Sequence, residues 1–150
     1  MTAFRAPAAQ PAALAPVLPE LLNQVAHQAS RRMEAALGPD GPTLDQWRVL
    51  TLLSDGAGHP MTEIASHAMV PAPTLTKIVD RLVERALVYR RPDETDRRRV
   101  LVFLSDHGRA RYERLAPAVT RVGDELADEL GTQDAARLVE LLERLRASPG

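Results

Sequence analysis

Residues 61–105 read MTEIASHAMVPAPTLTKIVDRLVERALVYRRPDETDRRRVLVFLS, and two hydrophobic periods follow one another within them. Over 73–85 the apolar residues Leu75, Ile78, Val79, Leu82 and Val83, followed by Ala86, recur every three or four positions. They form one stripe of an amphipathic helix. From Leu87 the period drops to about two: 87–91 and 99–104 are rich in β-branched and aromatic residues, and polar residues 92–98 separate them. This pattern predicts a β-hairpin. Two strands alone are marginal, so the hairpin must pack against the helices beside it as a wing.

Upstream, a short helix is expected from near Thr62, turning Ile64 and Ala65 inward until Val70-Pro71-Ala72-Pro73 breaks it. Proline is tolerated in the first turn of the following helix, where its missing N–H would lack an intrahelical partner. A short helix, a tight turn and a second amphipathic helix make a helix-turn-helix. Before it, Thr43 and Gln46 have capping-box spacing for a helix over 44–53 that buries Trp47, Leu50 and Leu53; a glycine-containing loop over 55–60 follows. A long first helix begins near Leu18, with Leu21, Leu22, Val25, Ala29, Met33 and Leu37 at helical spacing, and Gly-Pro-Asp-Gly-Pro at 38–42 stops it. Residues 1–16, with prolines at 7, 11 and 16, are read as a disordered Ala/Pro-rich arm.

Downstream, Ser105 is an N-cap for a helix carrying Tyr112, Leu115, Val119, Val122 and Leu126, with a bend expected at Pro117. A last helix from Thr132 presents Leu138, Leu141, Leu142 and Leu145. A compact winged unit could not cover these stripes together with that of the first helix, so a dimer is expected to bury them. The fold class is therefore mainly α with a small β-hairpin: a winged helix-turn-helix over 43–104, flanked by an N-terminal dimerisation helix and linker over 17–42 and by C-terminal dimerisation helices over 105–150.

The totals bound the function. A chain of 150 residues suits one domain with a real core. With only five aromatic residues, that core must be built from Leu, Val and Ala. The absence of cysteine excludes disulfides, thiolate metal sites and cysteine redox sensing. No apolar run reaches the ~18–20 residues of a membrane span, and the N-terminus lacks a signal core, so a cytoplasmic protein with no membrane partner is expected. His27, His59, His67 and His107 show no metal-ligand spacing, and no phosphate loop, nucleophile elbow or metalloprotease motif is present; neither an enzyme nor a cofactor or metal site is expected.

The net charge of -1 conceals an uneven distribution: 72–104 carries eight basic and five acidic residues, whereas the regions on either side are both acidic. Duplex DNA attracts cations along its phosphates and admits one α-helix into its major groove. Opposite the apolar stripe of the 73–85 helix lie Pro73, Thr76, Lys77, Asp80 and Glu84, flanked by Thr74 and Arg81. The threonines offer hydrogen bonds and a methyl for thymine, Lys77 reaches guanine or phosphate, and Arg81 reaches the backbone. Asp80 and Glu84 are unfavourable near phosphate unless they pair with Arg81, Arg85 or the wing. In the hairpin, Arg97, Arg98 and Arg99 follow Asp93, Glu94 and Asp96; on an extended strand Arg97 and Arg99 would point one way and Arg98 the other.

These residues resemble the MarR family of bacterial transcription regulators over nearly all of 18–145. The segment DRRRVLVFLS is similar to the family's D-x-R-x-x-x-x-x-L-T/S signature, with Asp96, Arg98, Leu104 and Ser105 in the matching places. The resemblance implies a homodimer joined by the first, fifth and sixth helices, through residues such as Leu21, Leu22, Val122, Leu138, Leu141, Leu142 and Leu145. It implies a fourth helix in the major groove of double-stranded DNA and a wing in the minor groove. Arg97, Arg98 and Arg99 become the DNA-contacting residues of the wing, with Arg98 the groove reader, drawn to the negative potential of a narrow minor groove, and Asp96 a brace for a neighbouring arginine. It further implies a small phenolic or lipophilic effector between the dimer helices and the DNA-binding lobe, near His27, Trp47 and Tyr112. Two features depart from the family pattern. Pro71 and Pro73 stand where Asp and Ser are more usual, and Ala86 replaces a glycine before the first wing strand. An effector-independent DNA-binding protein and a winged-helix protein–protein module are the alternatives.

Overall fold

The computed structural model describes residues 14–149; most of the expected N-terminal arm lies outside them. In chain order the elements are α1 (Val17–Leu37), α2 (Leu44–Leu53), β1 (His59–Pro60), α3 (Met61–Ala68), α4 (Ala72–Glu84), β2 (Val88–Pro92), β3 (Val100–Leu104), α5 (Asp106–Leu130) and α6 (Thr132–Ala147). The start of α2 follows from its cap: Thr43 Oγ1 accepts the Gln46 N–H at 3.2 Å, and the Gln46 side chain accepts the Thr43 N–H at 3.1 Å. Ser105 caps α5 by accepting the Gly108 N–H at 2.9 Å, and the helix runs on through Pro117.

The main core gathers the stripe of α4 with apolar residues of α2, α3 and β3. Val49, Leu50, Leu53, Ile64, Leu75, Val79, Leu82 and Val102 are fully buried, each burial being worth about 1.5–3 kcal/mol. A second cluster, Leu37, Leu44 and Trp47, packs with Met33, Tyr112, Leu115, Ala116 and Val119 and ties α1, α2 and α5 together.

Three expectations need correction. The 55–60 loop contains a strand: β1 pairs antiparallel with β3, His59 opposite Val102, so the sheet has three strands in the order β1-β3-β2. Two residues carry no readable period, and only the ladder partner makes them a strand. Ala86 does not continue the apolar stripe; it is exposed and left-handed at φ 58°. There the Ala86 N–H donates to Val83 O and the Leu87 N–H to Leu82 O, the paired bonds of a Schellman closure. Ala65 packs half-buried against the main core beside Ile64, as expected, and Ala68 is fully buried there as well. Val122 is 7% exposed within the single chain, so it belongs to the chain's own packing rather than to a face open to a partner. The other expected dimer residues, Leu21, Leu22, Leu138, Leu141, Leu142 and Leu145, are all exposed, and α6 buries none of its residues. Among the described residues no helix is long and apolar enough to cross a membrane.

Candidate nucleic-acid interface

Helix α4 starts after Pro71, whose extended backbone serves as N-cap without a side-chain bond; the Leu75 N–H donates instead to Pro71 O at 3.0 Å. Burial of Leu75, Ile78, Val79 and Leu82 fixes the rotation of the helix. Pro73, Thr74, Thr76, Lys77, Asp80 and Arg81 are thereby all exposed along its outer side. The Thr76 hydroxyl donates to Ala72 O at 3.1 Å, so it meets a ligand as an acceptor unless it gives up that bond.

The wing is not extended at its arginines. The Arg99 N–H donates to Asp96 O at 2.9 Å and the Asp93 N–H to Arg99 O at 2.8 Å, which makes 96–99 a β-turn with Arg97 and Arg98 at its two central positions. Strand alternation therefore does not hold there: Arg97 and Arg98 share the exposed apex, and Arg99 closes its base. Asp96 braces the turn through the backbone, its Oδ1 accepting the Arg98 N–H at 3.1 Å. Asp93 does the same one step earlier, accepting the Thr95 N–H at 3.0 Å and the Thr95 hydroxyl at 2.9 Å. The Thr95 backbone and hydroxyl bonds, with nearby Arg99, hold the Asp93 carboxyl below its ordinary range. Both acids thus organise the loop that displays the cations.

Behind the apex, Arg90 bonds Asp80 of α4, while Arg91 lies over the Phe103 ring at 5.9 Å on the opposite side of the sheet. Phe103 also stacks on Tyr89, its cross-strand partner, with the ring centroids 5.4 Å apart.

A cavity of about 300 Å³ lies where α1, α2, α3 and α5 meet, lined among others by Met33, Trp47, Arg48, His67, Tyr112 and Val119. Trp47 and Tyr112 stack there with their ring centroids 4.8 Å apart. His27 does not join them: it is exposed on α1, and the cavity's histidine is His67. Neither His67 nor Arg48 is legible in the sequence as a cavity residue, because each faces a helix distant along the chain. His59 is likewise silent in the sequence. It is 8% exposed, with Nδ1 2.8 Å from Glu63 and Nε2 2.8 Å from Asp55. Burial alone would depress its pKa, but the bonds to Glu63 and Asp55 outweigh that and raise it. Among the described residues no cluster suited to a metal ion occurs.

Comparison with known proteins agrees with this architecture. The family model described as MarR family matches residues 43–100. The HTH-type transcriptional regulator FarR of Neisseria gonorrhoeae is 32% identical over 103 residues, covering 69% of this chain and 70% of that protein. A crystal structure of a MarR mutant from E. coli with operator DNA superposes with a TM-score of 0.75 at 30% identity, covering 85% of this chain and 92% of that one. The transcriptional repressor CouR bound to a 23-mer DNA duplex gives a TM-score of 0.78 at 28% identity, covering 93% and 99%. With its winged helix-turn-helix and its likeness to these regulators in sequence and structure, the chain belongs to the MarR family.

Proposed function

We propose that this protein is a sequence-specific DNA-binding transcriptional repressor that acts as a homodimer on a pseudo-palindromic operator and is released by a small aromatic or lipophilic ligand. One observation carries the DNA reading: a rigidly seated α4 exposes Thr74, Thr76, Lys77 and Arg81, and a braced turn beside it exposes Arg97 and Arg98. Base edges would be read by the threonines and Lys77, and the wing apex would enter the minor groove. The similar structures of MarR and CouR with DNA support that arrangement.

The dimer reading rests on α1 and α6. Leu18, Leu22, Leu138, Leu141, Leu142 and Leu145 line a cleft of about 680 Å³, the largest of those described, and leucines are its main lining. A helix of this length with no buried residue needs a partner to be stable. This cleft is read as the seat of a second copy. The smaller cavity is read as the effector site: Trp47 and Tyr112 would stack on an aromatic ring, and Arg48 and His67 would meet an acidic substituent. A ligand there would wedge between α1 and α5 on one side and the helix-turn-helix on the other.

The test is binding to a duplex selected from a random pool. Arg98→Ala should keep the fold yet weaken binding, and the slope of log affinity against log salt should fall by about 0.9 for each phosphate that the variant no longer neutralises. A folded Arg98→Ala protein with unchanged affinity and slope would remove the wing from the interface.

A further inference from the structure

Asp80 stands among the exposed polar residues of α4, where a carboxylate facing phosphates should cost affinity by simple repulsion. It is not a free carboxylate. Its Oδ1 accepts a charge-assisted hydrogen bond from Arg90 Nη2 of β2, ten residues along the chain. Arg90 is opposite the fully buried Val102 in the β2–β3 ladder, so its stem leaves the sheet on the side of the helices. Arg91, the next residue, leaves on the other side towards Phe103, as strand alternation requires. The two adjacent arginines are thus committed to different faces.

Between α4 and β2 the chain passes through the left-handed Ala86 closure. Beyond that closure, Asp80–Arg90 is the one side-chain ion pair among the described residues that joins α4 to the wing. We propose that Asp80 and Arg90 are positioning residues that set the wing against the recognition helix, so that the Arg97–Arg98 apex and the Thr76–Lys77 face meet one duplex together. This inference rests on the DNA-binding reading given above. An exposed ion pair adds little to fold stability. Its effect lies in binding: a wing held in place beforehand does not have to be ordered when DNA arrives. In the contrary case Arg90 swings out to a phosphate and leaves Asp80 as a purely repulsive charge.

The two cases differ in sign for Asp80→Asn. Affinity of the full-length protein would be measured over a salt series for the selected operator and for an unrelated duplex, with Asp80→Asn, Arg90→Gln and the double variant. Melting temperatures near that of the wild type would establish that each is folded. If the pair positions the wing, Asp80→Asn weakens operator binding by about fivefold for each subunit engaged, although it removes a negative charge. Its salt slope stays unchanged, its affinity for the unrelated duplex does not fall, and the double variant binds no more weakly than the worse single one. The proposal is overturned if Asp80→Asn binds the operator as tightly as wild type or more tightly. It is equally overturned if Arg90→Gln lowers the salt slope by about one, the mark of a phosphate partner. Wild-type protein that bound no duplex at all would refute the DNA reading itself, and that result would be seen before any variant was compared.

Discussion

Replacing Ala86 by glycine should stabilise the protein, against the usual effect of removing a methyl group. Ala86 has φ 58°, where the Cβ of an L-residue crowds the following carbonyl at a cost of about 1–2 kcal/mol. The residue is exposed, so its methyl gives back little by burial. Glycine would relieve the strain but free the unfolded chain, which costs about 0.4–1 kcal/mol in the other direction. The Schellman bonds from Ala86 and Leu87, and the Ser105 hydroxyl bond to Ala86 O at 2.6 Å, use only the backbone at 86 and survive the change. The net gain should be about 0.5–1 kcal/mol, equivalent to a rise of roughly 1–4 °C in melting temperature for a chain of this size. Urea melts at matched protein concentration would read it, since association of copies would make stability concentration-dependent. Ala86→Val should move the midpoint the opposite way, because a β-branched residue is worse still at positive φ. A glycine variant no more stable than wild type, with an unchanged urea slope, would show that no strain is stored at this junction.

Three further outcomes follow from the packing. His59 has a raised pKa, so its stabilising contribution is fully present below its unfolded value of 6.5 and is lost as pH rises through the folded value. Asp55 acts in the opposite sense: burial alone would raise its pKa, but the Ala57 N–H and His59 outweigh that and lower it, so its contribution fades only as pH falls through its depressed folded value. Urea midpoints of wild type and His59→Gln should therefore differ more at about pH 6 than at about pH 8, and an equal difference at both would show that the two carboxylates do not grip the ring. Gly108→Ala should be among the most damaging small changes, because a Cβ there would meet Leu87 O at 2.0 Å and Leu104 Cδ1 at 2.8 Å; expression of a folded variant with wild-type melting would contradict that close approach. Leu141→Glu with Leu142→Glu should leave the main core untouched and give a monomer by sedimentation, whereas a surviving dimer would place the interface elsewhere.

Much of the helix-turn-helix is legible because its information is local. The Thr43–Gln46 box, the Leu75–Leu82 stripe, the prolines at 71 and 73 and the Ser105 cap each act within one or two turns of helix, and each lies where its spacing predicts. The wing is legible as a change of period, but its apex is not. There Asp93 and Asp96 fold the chain on itself through their own side chains, which overrides the alternation that an extended strand would impose. In the candidate site, the resemblance points to His27, Trp47 and Tyr112, and only the two aromatic residues come together there; His67 and Arg48 join them because three other helices arrive beside α2.

Periodicity, caps and composition are properties of neighbouring residues, so the order and type of the helices, the position of the hairpin and the concentration of positive charge over 72–104 can be read along the chain. It is the packing of distant elements that makes His59–Pro60 a strand, turns Val122 inward while Leu138 and Leu142 stay exposed, and brings Asp80 to Arg90. Each of those outcomes depends on a partner brought from elsewhere in the chain by the packing of the core. A residue's local pattern carries no record of which partner that will be.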